Sequence, residues 1–372
     1  MSNALYPSII TSVLMVACSP DRSEGPVVQD EAVFGVLEDE DIVYASGLGY
    51  DPRDDQTLTA LDLTLDVYYP DNGAVSRPVF MWIHGGGFTG GSKTRDEIEE
   101  MAEFYATRGW VFVSINYRTT KVLSNGYDLC DEEDGSEHKE AVEFYRGIAP
   151  PEWTRFACDG ADESLNFHQS IAMYSAQRDA KAALRWIVLN SNSYSIDLNY
   201  ITVGGNSAGA ITAATLGITD KDDFRDEIPT GDDPTLSATH LDETYTVQSM
   251  VWYWGSKQKL TMFDSVYDEN SYDGDDPEIF MAHGPAEEKG ESPTPYTDAV
   301  ELQSTYDDNG IYSELVLLYC DGEVNPTCPY DTDGDGIADS WGHGAWGAQV
   351  DGVSLSQMSL DFIVKRQNLR VE

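Results

Sequence analysis

The sequence predicts an α/β fold, a mainly parallel central sheet with helices on both faces. Three observations carry that expectation. Short apolar runs flanked by Gly or Pro recur along the chain, a long stretch of helical periodicity lies between two of them, and no internal repeat interrupts the alternation. With 372 residues, 41% of them hydrophobic and 11% aromatic, the chain can bury one large core, which rules out disorder as its overall state.

The elements follow in order. Residues 61–69 alternate Leu-Asp-Leu-Thr-Leu-Asp-Val, the pattern of a half-exposed strand. Residues 79–83, 111–115, 201–203, 250–254, 279–282 and 315–319 are short apolar runs and read as buried strands. Between the second and third of these, Met173, Ala176, Ala180, Ala183, Leu184 and Ile187 recur at steps of three and four, one face of an amphipathic helix. Residues 121–170 break the alternation. They are acidic and bracketed by Cys130 and Cys158, and read as a cap-like insertion over the carboxyl edge of the sheet, where such folds place their reactive groups.

Lys and Arg total 22 against 66 Asp and Glu, a formal charge of −44. A surface this acidic repels phosphate backbones, so nucleic-acid binding is excluded. Residues 5–18 are mostly apolar and uncharged, too short to span a bilayer as a permanent helix but the length of a signal-peptide core. Leu14-Met15-Val16-Ala17-Cys18 has small residues before a cysteine, the form of a lipoprotein cleavage box. The expectation is a signal over residues 1–18, a polar linker over 19–30 and one catalytic domain over 31–372. Export places the protein as a periplasmic or outer-membrane lipoprotein tethered through Cys18, or as a secreted protein. The other four cysteines suit two disulfides, and proximity favours Cys130–Cys158 and Cys320–Cys328; free buried thiols are the alternative.

The strongest chemical signal is Gly205-Asn206-Ser207-Ala208-Gly209. It follows an apolar strand and precedes a small-residue run, residues 210–216, that can pack closely as a helix. Strand, sharp turn and helix is the setting that lifts a serine hydroxyl above a sheet. The second signal is His84-Gly85-Gly86-Gly87-Phe88, directly after a strand. Consecutive glycines let backbone N–H groups face a ligand, as acyl transfer requires when charge develops on a carbonyl oxygen.

These segments resemble the α/β-hydrolase superfamily, in its bacterial carboxylesterase and hormone-sensitive-lipase-like branch. Leu65-Asp-Val-Tyr-Tyr-Pro70, Ser114-Ile-Asn-Tyr-Arg118 and Asp179-Ala-Lys-Ala-Ala-Leu-Arg-Trp186 match it as well, so the resemblance covers roughly residues 60–365. It implies an α/β-hydrolase fold and a serine esterase with no organic cofactor and a small-molecule ester substrate. The oxyanion hole would be the amides of Gly86, Gly87 and Ala208, with His84 and Gly85 as structural parts of the glycine loop. The family order is nucleophile, acid, base. Of six histidines, His343 in Gly342-His343-Gly344 stands where that order puts the base. The acid position after residues 279–282 holds Glu287, with Glu288, Glu291 and Asp298 as alternatives.

Asp331, Asp333, Asp335, Ile337 and Asp339 form an acidic loop, residues 331–339, with ligands at alternate positions and a glycine bend. That spacing suits a structural Ca2+, although Gly342 stands where an EF-hand closes with Glu. Two other functions fit less of the sequence: a serine peptidase or amidase of the same fold, and a non-catalytic calcium-dependent interaction module. The sequence does not define the oligomeric state.

Overall fold

The computed structural model describes residues 25–51, 54–123, 129–130, 133, 135, 137–160, 166–267, 270–286, 294–320, 330 and 340–372. Among the described residues twelve strands run in chain order: β1 (Val27–Val28), β2 (Val36–Asp51), β3 (Asp54–Pro70), β4 (Arg77–Ile83), β5 (Val111–Ile115), β6 (Ile196–Asn206), β7 (Ser249–Tyr253), β8 (Glu278–His283), β9 (Ser313–Leu317), β10 (Gln349–Val350), β11 (Val353–Ser354) and β12 (Arg370–Val371). Eight α-helices lie among them: α1 (Asp96–Ala106), α2 (Lys139–Phe144), α3 (Pro151–Asp159), α4 (Phe167–Tyr194), α5 (Ala208–Ile218), α6 (Lys257–Tyr267), α7 (Tyr296–Asp308) and α8 (Leu355–Gln367).

Eight strands form one sheet in the order β2-β3-β5-β4-β6-β7-β8-β9. The pairings from β5 to β9 are parallel, and β2 and β3 join as an antiparallel hairpin at one edge. Every expected strand is present. The hairpin's first strand, β2, was not expected, because its run Glu38-Asp39-Glu40-Asp41 hides the alternation that Ile42, Tyr44 and Leu48 continue. Its pairing partner β3 supplies the ordering that its own composition does not.

Apolar side chains fill both faces of the sheet. One core joins the strands to α4, α5, α6 and α7 through residues such as Ile171, Ile211, Leu260 and Leu302. The other joins them to α1 and α8 through Ile98, Tyr105, Phe362 and Ile363. The strands at the centre, β4 and β7, are buried at every residue, as a sheet covered on both sides requires.

Helix α4 departs from the amphipathic expectation. All six residues of its expected apolar stripe are buried, yet Arg178, Asp179, Lys181 and Arg185 are buried too. It runs between the sheet and an outer layer, so its polar side also loses water. Each charge there has a partner: Asp179 with Arg118, Arg178 with Asp233, Lys181 with the carbonyls of Asp220 and Asp223, and Arg185 with the carbonyl of Thr239. Part of that outer layer is the insertion. Its described segment packs Tyr145 and Ile148 from the turn between α2 and α3, and Trp153 from α3, into the core, and the Trp153 indole donates to the Ser170 carbonyl at 2.7 Å. The expected Cys130–Cys158 disulfide ties this layer together.

Candidate active site

Parallel neighbours end together, and that brings the two sequence signals side by side. Strands β4 and β6 pair Trp82 with Gly204 and Ile83 with Gly205, so the chain leaves both at the same level. The glycine loop begins at His84 and the serine turn at Asn206. They are stitched to each other, for the Gly85 amide donates to the Asn206 side-chain oxygen at 3.1 Å.

Ser207 has φ 56° and ψ −122°, a conformation that a residue with a Cβ adopts only under strain. The turn persists because both sides are tied. The Ser207 amide donates to the Tyr253 carbonyl of β7, and its carbonyl accepts from Ala210 and Ile211 at the start of α5. Helix α5 must approach β4 very closely, and a Cβ on Gly209 would strike the Ile83 carbonyl. The glycine two residues after the serine therefore has a steric reason.

The glycine loop is braced from behind. The buried His84 ring stacks on Tyr117 at 4.4 Å, and its Nδ1 is 2.8 Å from the Gly85 carbonyl. Burial lowers its pKa to about 4, so the ring is neutral at ordinary pH and Nδ1–H can donate to that carbonyl. The Tyr117 hydroxyl donates to the His84 carbonyl, and the Gln169 amide to the Gly87 carbonyl at 2.7 Å. At the far end of the loop, Lys93 donates to the buried Asp66 carboxylate, and its amide donates to Asn116. The amides of Gly86, Gly87 and Ala208 donate to no protein acceptor among the described residues, which leaves them for a ligand.

A cavity of about 440 Å3 lies above this junction. Gly86, Gly87, Ser207, Ala208 and His343 all line it, so the proposed nucleophile, base and oxyanion donors converge there. None of the other five histidines does. His84 braces the loop, His138 meets Asp159, His240 meets the Tyr44 carbonyl, His283 meets the Gly284 carbonyl, and His168 lies in α4. The segment carrying His343 is held by the ends of two strands. The Trp341 amide donates to the Leu318 carbonyl just after β9, and the Trp341 carbonyl accepts from Ala286 just after β8.

His343 Nδ1 is 2.7 Å from the Thr294 hydroxyl. With Nδ1–H donating to that oxygen, Nε2 keeps its lone pair, the tautomer a base needs. The expected acid Glu287, and Glu288 and Glu291, lie outside the described residues. The alternative Asp298 is engaged elsewhere, accepting from Ser256 and from the Gln258 amide at the start of α6. The loop with Asp331, Asp333, Asp335, Ile337 and Asp339 also lies outside the described residues, as do Cys18 and Cys328. Cys320 is disulfide-bonded to a partner outside them. Among the described residues no cluster of three or more metal-ligating side chains occurs.

The rest of the wall was not foreseen. Phe88, Ile211, Trp254 and Trp346 supply apolar surface, while Arg95, Glu97, Gln169, Lys259 and Thr294 supply polar groups. Gln169 and Thr294 carry no local signature, since a lone amide or hydroxyl in a loop or first helical turn is commonplace. Burial lowers the Lys259 pKa, against the opposing pull of Asp298. From residues 121–170 the described wall takes Gln169 alone.

Comparison with known proteins agrees with this architecture. A stretch of 154 residues is 28% identical to Gut esterase 1 of Caenorhabditis briggsae and covers 41% of this chain. The Caenorhabditis elegans protein of the same name is 27% identical over the same length. The match spans about one fifth of those relatives, 20% of each. A truncated carbohydrate esterase from gut microbiota superposes with a TM-score of 0.50 at 16% identity, covering 92% of this chain and 99% of the other, a likeness of fold. The BD-FAE family model matches residues 65–130 and 164–292, just over half of the chain, passing over most of the insertion. The protein belongs to the BD-FAE family, an α/β-hydrolase-type esterase family, and has the α/β-hydrolase fold.

Proposed function

We propose that the chain is a serine carboxylic-ester hydrolase acting on small-molecule esters through an acyl-enzyme. The observation that carries this is one cavity lined by a strained serine, a histidine and three amides without acceptors among the described residues. Ser207 Oγ attacks the ester carbonyl as His343 Nε2 takes its proton. The carbonyl oxygen gains negative charge, and the amides of Gly86, Gly87 and Ala208 are the donors for it. Collapse of the tetrahedral species expels the alcohol, which receives the proton from His343. A water activated by the same ring then attacks the acyl carbonyl, and the acid leaves as Ser207 regains its proton. Glu287 would orient the imidazole and stabilise its cation, alongside the Thr294 contact at Nδ1. The apolar wall of Trp254, Trp346, Phe88 and Ile211 suits the acyl or alcohol portion of a substrate.

The Ser207→Ala variant tests the reading. Hydrolysis of p-nitrophenyl acetate should drop by about 10^4-fold or more, with the melting temperature preserved because alanine keeps the Cβ that the turn already holds and loses only the hydroxyl. Turnover retained in that variant would remove Ser207 from its role.

A further inference from the structure

We propose that Thr89 is a positioning residue for the oxyanion hole, holding the Gly86 carbonyl back so that the Gly87 N–H faces the cavity. The inference rests on the esterase reading and deepens it. A trans peptide is planar, so the carbonyl of Gly86 and the N–H of Gly87 point in opposite directions across one bond. Whatever fixes the first aims the second. The Gly86 carbonyl accepts two hydrogen bonds from a single residue, 2.9 Å from Thr89 Oγ1 and 3.0 Å from the Thr89 amide. Gly86 and Gly87 line the cavity, and the wall formed by the described residues does not include Thr89. The carbonyl is thus drawn towards a residue outside the cavity wall, and the N–H is directed the other way.

This peptide needs such a restraint. It joins two glycines with φ of 130° and 59°, and residues without a Cβ offer little resistance to rotation of the peptide between them. A flip would replace the N–H by a carbonyl oxygen, setting negative partial charge where the oxyanion forms. The preceding peptide is secured in the same manner, because the carbonyl that aims the Gly86 N–H lies 2.8 Å from His84 Nδ1. Each of the two donors from this loop therefore has a side chain holding the carbonyl behind it. Thr89 itself is exposed, so its methyl and hydroxyl contribute little to the core.

The test compares wild type, Thr89→Val and Thr89→Ser in hydrolysis of p-nitrophenyl acetate. Removing a whole oxyanion donor costs about 10^2–10^3 in kcat, and loosening one should cost less, about tenfold. Thr89→Val is expected to lose about that factor in kcat with KM within about twofold and an unchanged melting temperature. Thr89→Ser, which keeps the hydroxyl, is expected to restore kcat. The proposal is overturned if Thr89→Val turns over at the wild-type rate, if Thr89→Ser is equally impaired, or if the loss tracks a fall in melting temperature. Labelling of wild-type Ser207 by a fluorophosphonate is read alongside. An unlabelled wild type defeats the esterase reading itself, whereas a labelled wild type with a fully active Thr89→Val defeats only the role of Thr89.

Discussion

Ser207, His84 and His343 show how far single residues can be read without coordinates. The turn at Ser207 was legible because its strained backbone needs glycines on both sides, and those glycines are visible in the sequence. His343 was singled out from chain order, and it lines the same cavity as Ser207. Thr294 and Gln169 were not legible, since their importance comes from what the fold sets beside them. His84 yields a pH prediction. Its folded pKa lies near 4, below the ordinary 6.5, because burial disfavours the cation. Between those values the unfolded chain holds a proton that the folded chain does not, so stability is lost as pH falls through the window. In His84→Gln, unfolding free energy should depend less steeply on pH between about 4.5 and 6, by at most ~1.4 kcal/mol per pH unit. Denaturant melts at several pH values read this directly; parallel slopes in the two proteins would refute the assignment.

At the level of elements, the segments resembling esterases turn out to be one connected brace. Asp66 near the start of one motif holds Lys93, Asn116 and Tyr117 hold the two ends of the glycine loop, and Arg118 reaches across to Asp179 of α4. The sequence showed these motifs singly, but their pairing is a long-range fact, separated by 61 residues for Arg118 and Asp179. That pair has both side chains only 2% exposed, and the guanidinium meets the carboxylate through two nitrogens. Asp179→Asn leaves a buried guanidinium without its counter-charge and should cost about 3–5 kcal/mol in urea unfolding. The exposed Arg95–Glu97 pair makes the contrast, and Glu97→Gln should change stability by less than about 1 kcal/mol. Equal costs at both positions would mean that burial does not govern these pairs. The strand β2 escaped sequence reading because its acidic run masks a pattern that only the hairpin with β3 restores.

For the whole molecule, composition and alternation were enough to give a mainly parallel sheet with helices on both faces, because covering both faces demands continuous apolar strands. They could not give the cavity, which is assembled from loops after several strands and from the first turn of α4. The formal charge of −44 acts at this scale alone. Self-repulsion on that surface is screened by salt, so the melting temperature should rise between about 0.05 and 1 M NaCl. A flat or falling curve would show that local ion pairs outweigh the global charge. The proposed chemistry needs a serine made reactive by its turn and by a distant histidine. Its most direct measurement is peptide mass spectrometry after exposure to a fluorophosphonate. One covalent adduct is predicted, on Ser207, and it should be strongly reduced in His343→Ala. An unmodified Ser207, or an adduct on another residue, would contradict the account.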